Sequence, residues 1–185
     1  MLKAIGQETV QVLNGGLQEA DRKGFPMNSE LVEAKKTATY KFTKWKLPQS
    51  TIFEVENCSL NKNHIVIDVR DEERYHGIIE PLDLVAGHIP GAVNIPFSTN
   101  LNTNGLFKTA NELKNIYKTV FKNIKTDNII VHCGSGVTAC HTLLAIEYAG
   151  LDIPKLYVGS WSEWSRTKKK LRPKTQIFKN GFFKD

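Results

Sequence analysis

Four short segments of mostly apolar residues, each bounded by polar or glycine positions, constrain the fold of this chain more than any other feature. They are Thr9–Leu13, His64–Val69, Asn128–His132 and Lys155–Val158. Apolar runs without alternation are typical of parallel strands that are covered on both faces. Stretches with helical periodicity lie between and after them, at Thr109–Phe121, Val137–Ala149 and Ser160–Lys169. The sequence therefore predicts an α/β fold with a mainly parallel sheet.

The predicted helices place apolar residues at intervals of three and four. In the first helix these are Leu113, Ile116, Tyr117 and Val120, and in the second they are Cys140, Leu144 and Tyr148. We expect each set to face the core, because such spacing puts side chains on one side of a helix. Ser160 is expected to cap the third helix.

The two ends of the chain resemble each other. Val10–Ala20 and Lys155–Trp164 both have the pattern of a strand, a glycine turn and a helix. We therefore interpret residues 1–24 as the end of a preceding related domain, 25–46 as a linker and 47–185 as one complete domain. An apolar strand without its own sheet is a template for pairing. Residues 1–24 are expected to dock on the complete domain, to pair with a second chain in a homodimer, or to be disordered.

Charge and cysteine content narrow the range of functions. The 185 residues carry a net charge of +6, which favours anionic partners. The basic run Lys168–Lys174 lacks interleaved aromatic residues, which favours a solvated helix end over a nucleic-acid site. No apolar run approaches the roughly 18 residues of a membrane span, and Glu8 interrupts the start before a signal sequence could form. Three cysteines are too few for a disulfide framework, so a reducing, cytoplasmic location is expected.

The segment with the clearest chemistry follows the strand Asn128–His132. That strand leads directly into Cys133-Gly134-Ser135-Gly136, and a helical pattern starts at Val137. Ligands of open α/β sheets bind beyond the carboxyl ends of the strands. Glycines let the backbone curl until successive N–H groups point at one centre, here the Cys133 sulfur. These groups and the helix N-terminus would stabilise a negatively charged sulfur, so Cys133 is predicted to be a nucleophile rather than only a core residue.

Two other uses of such a cysteine loop are disfavoured. A phosphatase with this arrangement needs an arginine directly after the loop to clamp phosphate oxygens, and the residue there is Ala139. A metal site would use His132 beside Cys133, but neighbours on a strand point to opposite faces. We predict no metal and no organic cofactor. Cys140 is expected to pack in the core, with a resolving thiol as the alternative, and Cys58 has no assigned role.

Several motifs together resemble the rhodanese family, specifically the C-terminal domain of two-domain sulfurtransferases. They are Ile67–Arg70 followed by Glu73–Tyr75, then Gly87–Pro96, Cys133–Thr138 and Gly159–Trp164, in the family's order. The resemblance implies a rhodanese-like, five-stranded sheet with helices on both faces. It also implies that residues 1–24 are the remnant of a first rhodanese domain and that 47–185 form the catalytic one.

The activity implied by this resemblance is sulfur transfer through a persulfide on Cys133. A small anionic donor, thiosulfate or 3-mercaptopyruvate, would supply the sulfur, and a thiophilic acceptor such as cyanide or a thiol would take it. Ser135 would help to activate the donor, and Arg74 would bind the donor carboxylate or form a structural salt bridge. The remaining loop residues would hold the sulfur through their backbone; they are Gly134, Gly136, Val137 and Thr138. No nucleic acid or membrane is involved in this interpretation.

Within the family, the sequence CGSGVT at Cys133–Thr138 is the form that mercaptopyruvate sulfurtransferases carry. Those enzymes also carry a second arginine before the GHIPG signature, where this chain has Glu80–Asp83. The rival hypothesis is an inactive, truncated module that binds a persulfide or a protein partner, because the first domain is absent. Other motif residues are expected to be structural: Asp68 in an ion pair with Arg70, His88 in hydrogen bonding, and Trp161 and Trp164 in packing.

Overall fold

The computed structural model describes residues 1–167. The strands are β1 (Gln49–Ser50), β2 (Ile65–Asp68), β3 (Val93–Asn94), β4 (Ile129–His132) and β5 (Lys155–Tyr157). The α-helices are α1 (Gly16–Arg22), α2 (Ile52–Cys58), α3 (Glu72–Tyr75), α4 (Ala110–Phe121), α5 (Val137–Tyr148) and α6 (Ser160–Trp164). The basic run Lys168–Lys174 and the last residues of the predicted helix Ser160–Lys169 lie outside the described residues.

All five strands form one sheet in the order β1-β5-β4-β2-β3, and every neighbouring pair is parallel. The central strands β2 and β4 are in register so that Asp68 pairs with His132 at their carboxyl ends. Because parallel strands end at the same edge, the loops that follow β2 and β4 are neighbours in space. The predicted α/β class and the five-stranded parallel sheet are confirmed.

Helices cover both faces of the sheet, as predicted. On one face α4 and α5 pack against the strands in a core that includes Leu113, Tyr117 and Ile146. On the other face the core includes Val55 of α2 and the tryptophans Trp161 and Trp164 of α6. Both faces of the central strands are therefore buried, which explains their unbroken apolar sequences.

The predicted orientation is confirmed for α4 and wrong for α5. A capping box at Thr109 starts α4, with Glu112 as its partner, and the helix buries the predicted apolar face. In α5 the buried residues include Leu143 and Ile146, whereas Cys140 is exposed. Apolar residues lie on almost every side of α5, so the sequence pattern does not single out the face that meets the sheet.

Within residues 1–167, no helix has the length and apolar character needed to cross a bilayer.

The N-terminal segment lies on α5 and contains no strand, so the predicted strand Thr9–Leu13 is wrong. Val10 and Val12 line a mostly apolar cavity of about 370 Å³ together with Cys140 of α5. A helix surface offers no row of backbone N–H and C=O groups, so an extended segment that packs on it cannot join a ladder. The segment is held at Ala4, which is buried, and by an ion pair between Lys3 and Glu147.

Of the three outcomes expected for residues 1–24, this chain shows docking on its own domain. A second anchor is Asn14, whose side-chain oxygen accepts the backbone N–H of Phe107 at 3.0 Å. Residues 25–46 form no helix or strand and are exposed. The division into a remnant, a linker and a catalytic domain stays a prediction.

Candidate functional site

Cys133 lies at the carboxyl end of β4, where the chain turns sharply into α5. The turn depends on Gly136, whose φ of +84° lies in the left-handed region that favours glycine. In this conformation the backbone N–H of Gly136 donates to Cys133 Sγ at 3.1 Å. The predicted N–H contact to the sulfur is therefore present. Cys133 is only 2% exposed, so reagents can approach its sulfur only through the pocket that the loop lines.

The first turn of α6 holds the cysteine loop from behind. The backbone N–H groups of Trp161 and Ser162 donate to the carbonyls of Cys133 and Gly134 at 2.9 and 2.8 Å. The Cys133 N–H donates to Ser160 Oγ at 3.2 Å, and that hydroxyl donates to the Tyr157 carbonyl at 2.9 Å. Ser160 therefore ties the loop to β5, and the prediction that it caps α6 is wrong.

The loop opens into a pocket of about 310 Å³. Its walls include Cys133, Gly134, Ser135, Val137, Thr138 and Arg74 from the predicted site, and Leu82, Asp83, Ser162 and Arg166 in addition. Gly136 is buried behind the loop and contributes its N–H to the sulfur. The structure therefore brings the predicted residues together at one place. The apolar cavity under the N-terminal segment also contains a cysteine, Cys140, but its charged residues Lys3 and Glu147 pair with each other.

Arg74 combines the two roles that the sequence left open. Its Nη2 lies 2.6 Å from Glu80 Oε1 and 3.4 Å from Asp83 Oδ2, so it does form salt bridges. It also lines the pocket, and a β-carbon placed on Gly134 would lie 3.5 Å from its Nη1. Its Nε is buried and has no hydrogen-bond partner within the described residues. Arg74 is therefore both a salt-bridge partner of the acidic residues and part of the pocket wall, where its Nη1 lies beside Gly134.

Behind the pocket, a buried ion pair joins Asp68 at the end of β2 to Arg70. Arg70 Nη2 lies 2.7 Å from Asp68 Oδ2, and both side chains are almost fully buried. Burial alone would raise the pKa of Asp68, but the charge and hydrogen bonds of Arg70 outweigh it and hold that pKa below its ordinary value. Burial lowers the pKa of His132, so its ring is neutral near pH 7, with Nδ1 positioned to donate to the Cys133 carbonyl at 3.1 Å. The structural role predicted for Asp68 is confirmed.

The other motif residues are structural as expected. His88 is buried, its Nδ1 lies 2.8 Å from the Tyr75 carbonyl, and the two rings stack with centroids 4.0 Å apart. Trp161 is buried with its indole N–H donating to the Val85 carbonyl at 2.9 Å, and Arg70 lies over its ring at 4.7 Å. The expectation that Cys140 packs in the core is wrong, because α5 turns that side away from the sheet.

Sequence reasoning missed Asp83 and Arg166 as pocket residues. The acidic stretch Glu80–Asp83 departs from the family pattern, and Arg166 belongs to no motif. Arg166 is the second residue after α6, and no local sequence pattern marks it as a pocket residue. Within residues 1–167, no group of three metal-binding side chains lies close enough to hold an ion.

The family model of the rhodanese-like domain matches residues 54–167. The chain is 34% identical over 183 residues to the thiosulfate sulfurtransferase of Rattus norvegicus, covering 96% of this chain and 59% of that protein. It is 44% identical over 99 residues to the probable 3-mercaptopyruvate sulfurtransferase of Pseudomonas aeruginosa, covering 54% of this chain and 35% of that protein.

A solved structure agrees with the fold. The 3-mercaptopyruvate sulfurtransferase of Leishmania major superposes with a TM-score of 0.73 and 31% identity, covering 89% of this chain and 46% of that one. The chain thus spans about half the length of the relatives that it matches over most of its own length. The parallel sheet and the cysteine loop agree with the family match over residues 54–167. This chain therefore belongs to the rhodanese-like domain family.

Proposed function

We propose that this chain is a sulfurtransferase that carries sulfur as a persulfide on Cys133. The observation that carries the proposal is the hydrogen bond from the Gly136 N–H to Cys133 Sγ, at the base of a pocket that Arg74 and Arg166 also line. Such an N–H stabilises the Cys133 thiolate before the reaction and the negatively charged persulfide after it. The names of the relatives, which are thiosulfate and 3-mercaptopyruvate sulfurtransferases, support the same chemistry.

The reaction would be a double displacement. The Cys133 thiolate attacks the outer sulfur of the donor, a new S–S bond forms, and the old bond to that sulfur breaks. Thiosulfate then leaves as sulfite with the electron pair, and 3-mercaptopyruvate leaves as the enolate of pyruvate, which takes up a proton. In the second half, cyanide or a thiol attacks the outer sulfur of the persulfide and Cys133 leaves as the thiolate. No cofactor is needed for the electron balance.

For the donor, we propose 3-mercaptopyruvate over thiosulfate. Ser135 is exposed at the pocket and offers a hydroxyl, while the loop from Gly134 to Thr138 carries no cation to balance a dianion. Placing Arg at Gly134 and Lys at Ser135 should therefore raise the use of thiosulfate. The new side chain at Gly134 would start against Arg74, so the lysine at Ser135 should give the larger share of the gain.

The test of the proposed function is the mass of the intact protein after incubation with each donor. Loading adds one sulfur atom to the chain, and peptide mapping should place it on Cys133. Cys133→Ser should abolish the added mass, whereas Cys140→Ser should retain it, because Cys140 is exposed on the side of α5 that carries the N-terminal segment. Added sulfur that persists in Cys133→Ser would contradict the assignment of the nucleophile.

The rival is a rhodanese-like module without turnover. It predicts that Cys133 accepts no sulfur from either donor, or accepts sulfur and does not release it to cyanide or a thiol. A second incubation with cyanide, followed by loss of the added mass and release of thiocyanate, separates the enzyme from the module.

A further inference from the structure

A chain of alternating charges runs from the interior of the sheet to the pocket. Its consecutive ion pairs are Asp68 with Arg70 at 2.7 Å, Arg70 with Glu80 at 3.2 Å, Glu80 with Arg74 at 2.6 Å, Arg74 with Asp83 at 3.4 Å, and Asp83 with Arg166 at 3.5 Å. Glu80 also accepts the backbone N–H groups of Leu82 and Asp83, each at 3.2 Å. It therefore fixes the turn that carries Asp83 as well as the position of Arg74.

At the pocket end of this chain, the Asp83 carboxylate lies between two guanidinium groups. Its Oδ2 faces Arg74 and its Oδ1 faces Arg166. Two arginines around one carboxylate form the arrangement with which proteins bind an anionic ligand. Asp83 is only 3% exposed, so solvent does little to screen its charge inside the pocket.

Asp83 does not use up the binding capacity of the two arginines. Both of its ion-pair distances exceed the roughly 2.7–2.9 Å of a strong charge-assisted hydrogen bond. Arg74 lines the pocket with its Nη1 beside Gly134, and the Arg166 side chain is 51% exposed. An anion can therefore still bind beside Asp83, but it meets a negative charge there.

We infer that Asp83 is a specificity-determining residue: its carboxylate selects against doubly charged sulfur donors, while Arg74 and Arg166 together bind the single carboxylate of the preferred donor. The inference rests on the proposed function for the identity of the donors. In this chain Arg166 takes the place of the second arginine that mercaptopyruvate sulfurtransferases carry before the GHIPG signature and that the stretch Glu80–Asp83 lacks. Because Coulomb repulsion scales with the charge of the donor, Asp83 disfavours thiosulfate twice as strongly as a monoanion.

The first measurement is kcat/KM for thiosulfate and 3-mercaptopyruvate in the intact chain and in Asp83→Asn. We expect a gain of about tenfold for thiosulfate and about threefold for 3-mercaptopyruvate, since the second repulsion is half of the first. The matched control is Asp152→Asn, which removes the same charge at an exposed position outside the pocket and should change neither value. Equal donor ratios in Asp83→Asn and Asp152→Asn would overturn the inference.

Arg166→Gln tests the same inference from the cationic side and keeps it testable if Asp83→Asn does not fold. Its half-exposed side chain can be changed without opening the core. Thiosulfate should lose about tenfold and 3-mercaptopyruvate about threefold in kcat/KM through a rise in KM, with an unchanged thermal midpoint. An unchanged KM for both donors would refute the role of Arg166.

Binding separates a failure of this inference from a failure of the proposed function. In Cys133→Ser no sulfur can be transferred, yet calorimetric titration with thiosulfate still reports the pocket. Adding Asp83→Asn to this variant should tighten thiosulfate binding by about tenfold, and adding Arg166→Gln should weaken it by a similar factor. Equal affinities in the three proteins would refute the inference even if the chain transfers sulfur, and the expected order would support it even if the chain does not.

Discussion

Replacing Gly136 by alanine perturbs the geometry on which the cysteine loop depends. The residue has φ +84°, and a β-carbon there would lie 2.9 Å from the Val158 carbonyl oxygen, closer than real side chains approach a backbone atom. The left-handed backbone costs an alanine about 1–2 kcal/mol. Relieving the overlap must also move the Gly136 N–H away from the Cys133 sulfur. We expect a total loss of unfolding free energy of about 2–4 kcal/mol from these two effects.

The matched control is Gly150→Ala. Gly150 is the second residue after α5 and has φ +70°, and a β-carbon there would have nothing within 4 Å. This variant carries the backbone cost of about 1–2 kcal/mol without the overlap and without any contact to Cys133. Urea unfolding of both variants therefore isolates the effect of the overlap on stability.

The assay for function is the single-turnover rate of sulfur loading onto Cys133, followed by mass. A hydrogen bond to a charged group contributes about 1.5–3 kcal/mol, so losing half of it should slow loading by about three- to twelvefold in Gly136→Ala. Gly150→Ala should load at the rate of the unmodified chain. If the two variants load equally fast and lose equal stability, the N–H of Gly136 does not support the sulfur in the way argued above.

Three further predictions concern stability and assembly. Arg70→Met should cost about 3–5 kcal/mol in urea unfolding because it leaves Asp68 buried without its cation, and a loss below about 1 kcal/mol would contradict the ion-pair argument. Burial holds the pKa values of His132 and His141 below the ordinary value, so below about pH 6.5 the unfolded chain binds protons that the folded chain does not. The unfolding free energy should therefore drop with falling pH, by up to about 1.4 kcal/mol per pH unit for each group. This drop should be smaller in His132→Asn than in the control His76→Asn. Because residues 1–24 dock on their own domain, light scattering should show a monomer for the intact chain; a dimer that becomes a monomer on deletion of residues 1–24 would instead support the homodimer, and a dimer in both would exclude this segment as its cause.

How much of the fold was predictable depended on the length of each element. β2, β4 and β5 lie within the predicted strands, because a buried parallel strand of three or four residues leaves an unbroken apolar run. The strands β1 and β3 have two residues each, too few for any pattern, and only pairing with a neighbour creates them. The face of α5 was mispredicted because both the sheet and the N-terminal segment bury apolar residues of this helix.

The candidate site also has a part that the sequence predicted and a part that it did not. The cysteine loop is contiguous in sequence, and its glycines are required by the backbone itself, so the sequence predicted both the turn and the N–H contact to the sulfur. Asp83 and Arg166 are 83 positions apart and meet only when the chain is folded. Neither needs a particular backbone geometry, so no local pattern identifies them.

The attachment of the cysteine loop to α6 has a consequence for how such a pocket can diversify. The carbonyls of Cys133 and Gly134 are held by backbone N–H groups of α6, so the path of the loop is set by main-chain bonds and not by the side chains at Gly134 and Ser135. Substitutions at these two positions can therefore change the lining of the pocket while the Cys133 sulfur keeps its place. The fold thus separates the backbone that positions the Cys133 sulfur from the side chains that line the pocket. Related proteins can vary these side chains without changing the path of the loop.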